Sequence, residues 1–375
     1  MHHNQAEQHM IFKERVQQEK QQPQEFKPVF FRIQDPEQKA ALLQLVNDHP
    51  HIKIYDEIDS QLRELMKITH PTRPLSDQET REAIQKHLGS TSREEYGVWV
   101  YFPWLHKVVH IVDEDEYIHL RTSRNMHKIT AEERDILKTK KIGVIGLSVG
   151  QSIALTLVME RLCGEIRLSD FDALELTNMN RIRAGVHNLG LPKVIIAARE
   201  IAEIDPFIKV TCYPGGATEE NLDDFFSKDG QIDILVEECD GIDIKIISRI
   251  KAKALGIPVV MEMNDRGMLD IERYDLTPDY PMMHGLIPDI EPEKLRHLSN
   301  EEKVPILGPM VDMHNMSPRM KYSLGEIGKT ITTWPQLASS VVLGGAMVAD
   351  TCRRILLGQL QSSGRYYVDF EKLIN

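Results

Sequence analysis

Residues 140–151 read KKIGVIGLSVGQ, and this short stretch constrains the fold more than any other part of the chain. The apolar run 142–145 has the length of a buried strand, and the apolar stretch from 151 to about 162 has the length of a helix. Between them, Gly146 and Gly150 let the backbone turn tightly from one element into the other. A turn of this kind aims free backbone N–H groups at phosphate. The next strand, 165–168, leads to Asp170, which stands 24 residues after Gly146. That is near the offset at which a carboxylate meets a ribose hydroxyl.

Beyond Asp170 the pattern alternates. Helices are predicted over 193–204, 219–226 and 244–254, and strands over 209–213, 232–237 and 258–261. The implied fold is α/β: a Rossmann-like, mostly parallel sheet with helices on both faces. Ligands of such sheets sit at the carboxyl ends of strands, where this pattern puts the glycine turn, Asp170 and Asp240. After Gly267 the alternation loosens into a hairpin, a Pro- and Glu-rich stretch and a final apolar helix over 337–357.

Upstream, strands are expected over 28–33 and 51–55, helices over 36–46 and 56–67, and a hairpin of 97–102 with 107–112 across Pro103-Trp104. This reads as a small α+β module without an assignable chemical motif. Thr130 and Glu133 form a capping signal for a charged helix that leads into the glycine-turn strand. The expected division is a flexible tail at 1–25, the α+β module at 26–120 and the nucleotide-type domain at 121–375.

A formal net charge of −12 argues against nonspecific nucleic-acid binding, which needs a broad basic face. The four cysteines, Cys163, Cys212, Cys239 and Cys352, include no CxxC pair, so a cytoplasmic, reducing setting is expected rather than a disulfide framework. The tail lacks the apolar stretch of a secretion signal. The uncharged run 142–159 approaches the length of a membrane span, but its glycines and polar residues fit strand, turn and helix better.

Six segments in order resemble the ThiF/MoeB adenylyltransferase family, the group that includes ubiquitin-activating-type enzymes. They are Arg121 to Arg124 (RTSR), Gly146 to Gly150, Asp170 to Asp172 (DFD), Asn178 to Arg181 (NMNR), Leu191 to Lys193 (LPK) and Glu238 to Asp240 (ECD). The resemblance implies an ATP site using Gly146, Ser148, Gly150, Asp170, Asp172, Asn178, Arg181 and Lys193. Within it, Asp170 would hold the ribose, Asn178, Arg181 and Lys193 would grip phosphates, and Asp240 would bind Mg²⁺. Arg124 would reach the ATP of a neighbouring subunit, which makes a homodimer the expected assembly. The implied reaction is adenylation of a carboxylate. Its acceptor is expected to be a small ubiquitin-like or sulfur-carrier protein, a peptide or a small molecule. The residues Asn264 to Met268 (NDRGM) and the glycine turn resemble, more narrowly, a bacterial subgroup whose ThiF-like domain precedes a nitroreductase-like one. On that reading the chain is either a stand-alone version or a fragment.

The sequence departs from the family pattern at several points. Ser148 and Val149 occupy the middle of the glycine turn, Gln151 stands where a last glycine is expected, and Gly241 replaces the commoner Asn after Asp240. No cysteine lies between Cys239 and Cys352, where thioester-forming members carry theirs. Three other readings stay open. A non-catalytic nucleotide-binding scaffold suits the altered turn. A NAD- or FAD-binding site shares the turn and the distal acid. Gly146-Leu-Ser148-Val-Gly150 also matches the nucleophile elbow of an α/β-hydrolase, with Ser148 as nucleophile and His284 or His314 as its partner. Met310, Met313, Met316 and Met320 have near-helical spacing, which suits an apolar face or an adaptable groove. Asp265 and Arg266 suit either an acceptor channel or a loop salt bridge.

Overall fold

The computed structural model describes residues 13–14, 24–287, 295 and 300–374. Most of the expected tail and most of the Pro- and Glu-rich stretch lie outside the described residues. Two sheets organise the rest. The first has four strands in the order β1-β3-β4-β2, formed by Val29–Phe31 (β1), Lys53–Asp56 (β2), Val98–Phe102 (β3) and Lys107–Ile111 (β4). Its helices are Pro36–Asp48 (α1), Ile58–Thr69 (α2), Asp77–Leu88 (α3) and Glu114–Arg121 (α4). The β3–β4 hairpin forms as the pattern predicts, and every second residue of β3 is buried. The sequence pattern does not predict α3 or α4. In α3 only Ile84 and Leu88 are buried, so its apolar period is thin, although Ser76 and Glu79 form a complete capping box at its start.

The second sheet has seven strands in the order β11-β10-β9-β8-β5-β6-β7. Lys141–Ile145 (β5), Glu165–Ser169 (β6), Lys209–Tyr213 (β7), Ile234–Glu237 (β8) and Val259–Met263 (β9) run parallel to one another. Met268–Glu272 (β10) and Gly364–Tyr367 (β11) extend the sheet antiparallel. The longer helices of this half are Ala131–Leu137 (α5), Gly150–Glu160 (α6), Lys193–Ile204 (α7), Glu219–Ser227 (α8), Ile242–Ala254 (α9), Asn300–Met310 (α10), Pro318–Glu326 (α11) and Ala338–Leu356 (α12). The expected α/β alternation is present, with boundaries shifted by a few residues. The strand β11 after α12 is an element that the sequence pattern misses.

The period of two along β5 explains the layering. Ile142 and Val144 enter a core with Leu157, Val158, Ala198 and Val348, whereas Ile145 faces the opposite core with Phe225, Phe226 and Leu235. Each such side chain, fully buried, stabilises the fold by roughly 1.5–3 kcal/mol. Because β5 lies between β6 and β8, the order of strands reverses at its edges. The carboxyl end of β5 is therefore the switch point where open α/β sheets place ligands.

The first module docks at the other end of α6. Arg161, in the left-handed conformation that closes this helix (φ 55°), has its side chain 1% exposed, pairs with Asp205 and reaches Glu114 of α4 at 3.3 Å. Arg121 joins Asp205 at 2.9 Å, and the Tyr117 hydroxyl donates to the Ile204 carbonyl at 2.7 Å. Among the described residues, no helix is long and apolar enough to cross a membrane.

Candidate active site

Gly146 ends β5 with φ at +87°, and a Cβ placed there would lie 2.6 Å from the Glu238 carbonyl and 2.7 Å from the Cys239 nitrogen. Both the backbone angle and the close approach of the β8 loop therefore require glycine. The helix α6 starts at Gly150 with no side-chain cap, so its first-turn N–H groups face the carboxyl edge of the sheet and can receive an anion.

Asp170, at the end of β6, is buried and holds this turn in place. Its Oδ2 accepts the Leu147 N–H at 2.7 Å and its Oδ1 accepts the Asp172 N–H at 2.8 Å. Burial pushes the Asp170 carboxyl up, against the opposing pull of Lys193 and the two N–H groups. Lys193 opens α7, is buried, and its ammonium lies 2.7 Å from Asp172 Oδ2. Arg181 donates to the Ser148 hydroxyl from Nε at 3.2 Å and from Nη2 at 3.0 Å. Partial burial lowers the pKa of its guanidinium, and the charge of Asp240 raises it. Asp240 is exposed and makes no hydrogen bond or ion pair with any described residue.

The turn, Asp170, Asp172, Arg181, Lys193 and Asp240 thus form one connected neighbourhood. Two expected site residues stand apart from it. Asn178 uses its Oδ1 locally, accepting the Glu175 N–H at 3.0 Å. Arg124 is exposed in a turn that meets the carboxyl end of α6, where Asn125 Nδ2 donates to the Glu160 carbonyl at 3.4 Å. About 16 Å of helix separates that turn from Gly150 of the same chain.

Gln151 explains its own departure from glycine. Its amide donates to the Arg183 carbonyl at 3.0 Å and to Glu200 at 2.9 Å, and its Oε1 accepts the Arg183 N–H at 3.1 Å. A buried glutamine thereby ties the loop that carries Arg181 to the start of α6. Glu200 behind it is pushed up to about 7 by burial and by Glu203.

Beside Val149 and Asp240 opens a cavity that is partly open to solvent. Its polar wall includes Glu238 and Glu262, and its apolar wall includes Met261, Met310, Met316 and Trp334. The methionines therefore do not share one helical face. Met310 ends α10, Met316 lies in the loop before α11, and Met313 is 40% exposed. Asp265 lines the cavity and accepts the Ser317 N–H and hydroxyl, while Arg266 pairs with Asp369 at 2.8 Å. Beneath it lies a buried ionic network. Glu237 takes Lys245 at 2.8 Å and Arg249, and Arg249 also meets Glu272 at 2.7 Å. Burial alone would raise the Glu237 carboxyl, but these cations outweigh it and hold it at about 2.

Sequence reasoning misses Glu238 and Glu262 as pocket residues. The available signal was a carboxylate directly after the apolar strand β8 and another inside the apolar run of β9. The hydrolase reading loses its geometry. Among the described residues no histidine is hydrogen-bonded to Ser148, and His284 is engaged with Asp270 and Tyr280. Cys239 donates to the Gly241 carbonyl, and burial pushes its thiol well above the ordinary range, which suits packing rather than nucleophilic attack.

A mostly parallel sheet with a glycine turn at its switch point, braced by a strand-end aspartate, defines a Rossmann-like α/β protein. The ThiF family matches residues 122–371, and the chain belongs to that family. It is 45% identical over 276 residues to an uncharacterized protein of Mycobacterium tuberculosis, a match that covers 74% of this chain and 38% of that protein. It is 30% identical over 155 residues to the tRNA threonylcarbamoyladenosine dehydratase of Bacillus subtilis, covering 41% of this chain and 60% of that enzyme. The chain thus spans less than two thirds of the length of these curated relatives. Among solved structures, E. coli MccB with MccA-N7isoASN aligns at a TM-score of 0.47 and 14% identity, over 83% of this chain and 86% of that one.

Proposed function

We propose that this ThiF-family protein binds Mg-ATP and adenylates a carboxylate. The reading rests chiefly on Arg181, which is seated on the Ser148 hydroxyl of the glycine turn and lies within the field of Asp240. A cation is thereby held between an anion-receptive helix start and an unpaired acid. In the reaction a carboxylate oxygen attacks the α-phosphorus of ATP, the bond to the pyrophosphate oxygen breaks, and its electron pair leaves with pyrophosphate. Negative charge grows on both transferring and departing oxygens, so the α6 N–H groups, Arg181 and Lys193 have charge to offset.

Asp170 holds the turn through Leu147 and offers its remaining lone pairs to a ribose hydroxyl. Lys193, released from Asp172 or shared with it, supplies a second cation. Asp240 fits a magnesium ion, because Mg²⁺ needs only one or two protein carboxylates when phosphates and waters complete its octahedron. Bound there, the ion would neutralise phosphate charge.

Arg124 stands at the wrong end of α6 to serve its own site, which favours its delivery to a partner's site in a homodimer. The described thiols are all free, which suits a cytoplasmic setting. The acceptor class includes the carboxyl terminus of a ubiquitin-like or sulfur-carrier protein and smaller carboxylates. ATP–pyrophosphate exchange against candidate acceptors, with Arg181→Ala and Asp240→Ala, tests the reading. Exchange that survives in both variants would overturn the assigned roles. ATP binding without exchange for any acceptor would favour a nucleotide-binding scaffold.

A further inference from the structure

The cavity beside Asp240 offers hydrogen-bond acceptors with no matching donors. Glu262 is 3% exposed and lines the cavity, and neither of its carboxylate oxygens has a hydrogen-bond partner among the described residues. Asn264 Oδ1 and Gln336 Oε1, in the same wall, are buried and unpartnered as well. A buried acceptor left without a donor is destabilising, and a charged one more so, so several in one pocket point to a ligand that supplies N–H groups.

The neighbouring charges do not relieve this demand. Lys245 is the cation among the described residues lining the cavity, and Glu237 holds it at 2.8 Å. Glu238 accepts only the backbone N–H of Glu262, at 2.9 Å, and adds a second carboxyl beside the first. Asp240 and Asp265 bring two more acids to the lining, the latter already bonded to Ser317. From α12, the missing side chain of Gly344 leaves room for the Glu262 carboxylate, because a Cβ there would lie 2.3 Å from its Oε1. The rest of the wall is methionine, leucine and tryptophan, suited to an apolar stem.

We propose that this cavity is a specificity subsite for a guanidinium or ammonium head on an apolar stem, received by Glu262 with Asn264 and Gln336, so that the carboxylate acceptor carries a cationic end. The part concerning the acceptor rests on the adenylation reading, whereas the cation subsite stands without it. Burial holds the Glu262 carboxyl up at about 8, so the free pocket avoids an isolated charge at neutral pH. A cation that enters converts the acid to carboxylate and displaces its proton. The proton goes to solvent and the pocket stays electrically balanced.

Calorimetry on the full chain, with and without Mg-ATP, tests this with n-butylguanidine, n-pentylamine and the neutral 1-pentanol as probes. The expected result is binding of at least one cation, weaker uptake of the alcohol by about tenfold or more, and release of about one proton at neutral pH. Glu262→Gln should weaken cation binding by about tenfold or more while circular dichroism and ATP affinity stay unchanged. Glu262→Asp, which keeps the charge, should retain part of the affinity and the proton release. The proposal is overturned if neither cation binds in either condition, if 1-pentanol binds as tightly as the cations, or if Glu262→Gln binds them like the parent. Retained ATP binding with no cation uptake sinks this inference alone, and cation uptake without pyrophosphate exchange sinks the adenylation reading and the acceptor's cationic end while the cation subsite stands.

Discussion

Arg181 and Ser148 are joined by two N–H donors on one hydroxyl, which fixes a mobile guanidinium on the backbone turn that opens α6. The distance from the loop to the helix is thus set before any nucleotide arrives. Ser148→Ala removes that anchor but leaves the cation. It is expected to lower the rate of pyrophosphate exchange by about tenfold, against about 100-fold or more for Arg181→Ala. Equal effects of the two substitutions, measured as kcat/KM for ATP, would contradict the anchoring role.

Gly146→Ala places a methyl group against the Glu238–Cys239 backbone and forces a side-chain-bearing residue to φ +87°. The expected cost is about 2 kcal/mol or more, from strain and from separation of β5 and the β8 loop. Denaturant unfolding should show the lost stability, and calorimetry should show ATP affinity falling further than in a surface control of equal stability.

The carboxyl of Glu262 is pushed up to about 8 from an ordinary 4.5, so the folded chain keeps a proton that the unfolded chain has released. Its stabilising contribution is complete below pH 4.5 and is lost as pH rises through about 8. Glu200, raised to about 7, acts with the same sign, and Glu237, lowered to about 2, contributes only above its unfolded range. Glu238, beside Glu262, is raised well above its ordinary range by burial and by the charge of Glu262, and it acts with the same sign. The Tm of the parent should therefore fall between pH 5 and 8, by about a few degrees, and Glu262→Gln should make that slope shallower. A parent Tm that rises across this window would refute the assignment.

Arg249 is wholly buried between Glu237 and Glu272. Arg249→Met leaves two buried carboxylates with less compensation and should cost about 3–5 kcal/mol. The triple change that also makes Glu237 and Glu272 neutral should recover part of that loss, as read from urea midpoints.

The sequence made the central sheet legible because its signals were redundant. The run 142–145, the glycines and the strand-end Asp170 each pointed to the same turn, and β5 to β9 alternate with helices of ordinary length. The adjoining cavity was not legible in the same way. It draws on the loop after β8, on β9, α10 and residues 334–336, and only the folded chain brings Glu238, Glu262 and Gln336 to one wall. Gln151 looked like a departure from a pattern until its three bonds to Arg183 and Glu200 gave it a bracing role. The helix α3 was hidden for a different reason: a capping box marks where a helix starts, but with two buried apolar residues nothing downstream repeats the message.

Arg161 and Asp205 sit where the small module leans on the larger one, almost sealed from solvent and sharing their charge with Glu114 and Arg121. A cut after residue 120 would strip Glu114 from this group and open to water a seam built to be dry. A chain cut at that border is therefore expected to melt at a lower temperature than the whole, which should unfold in one transition.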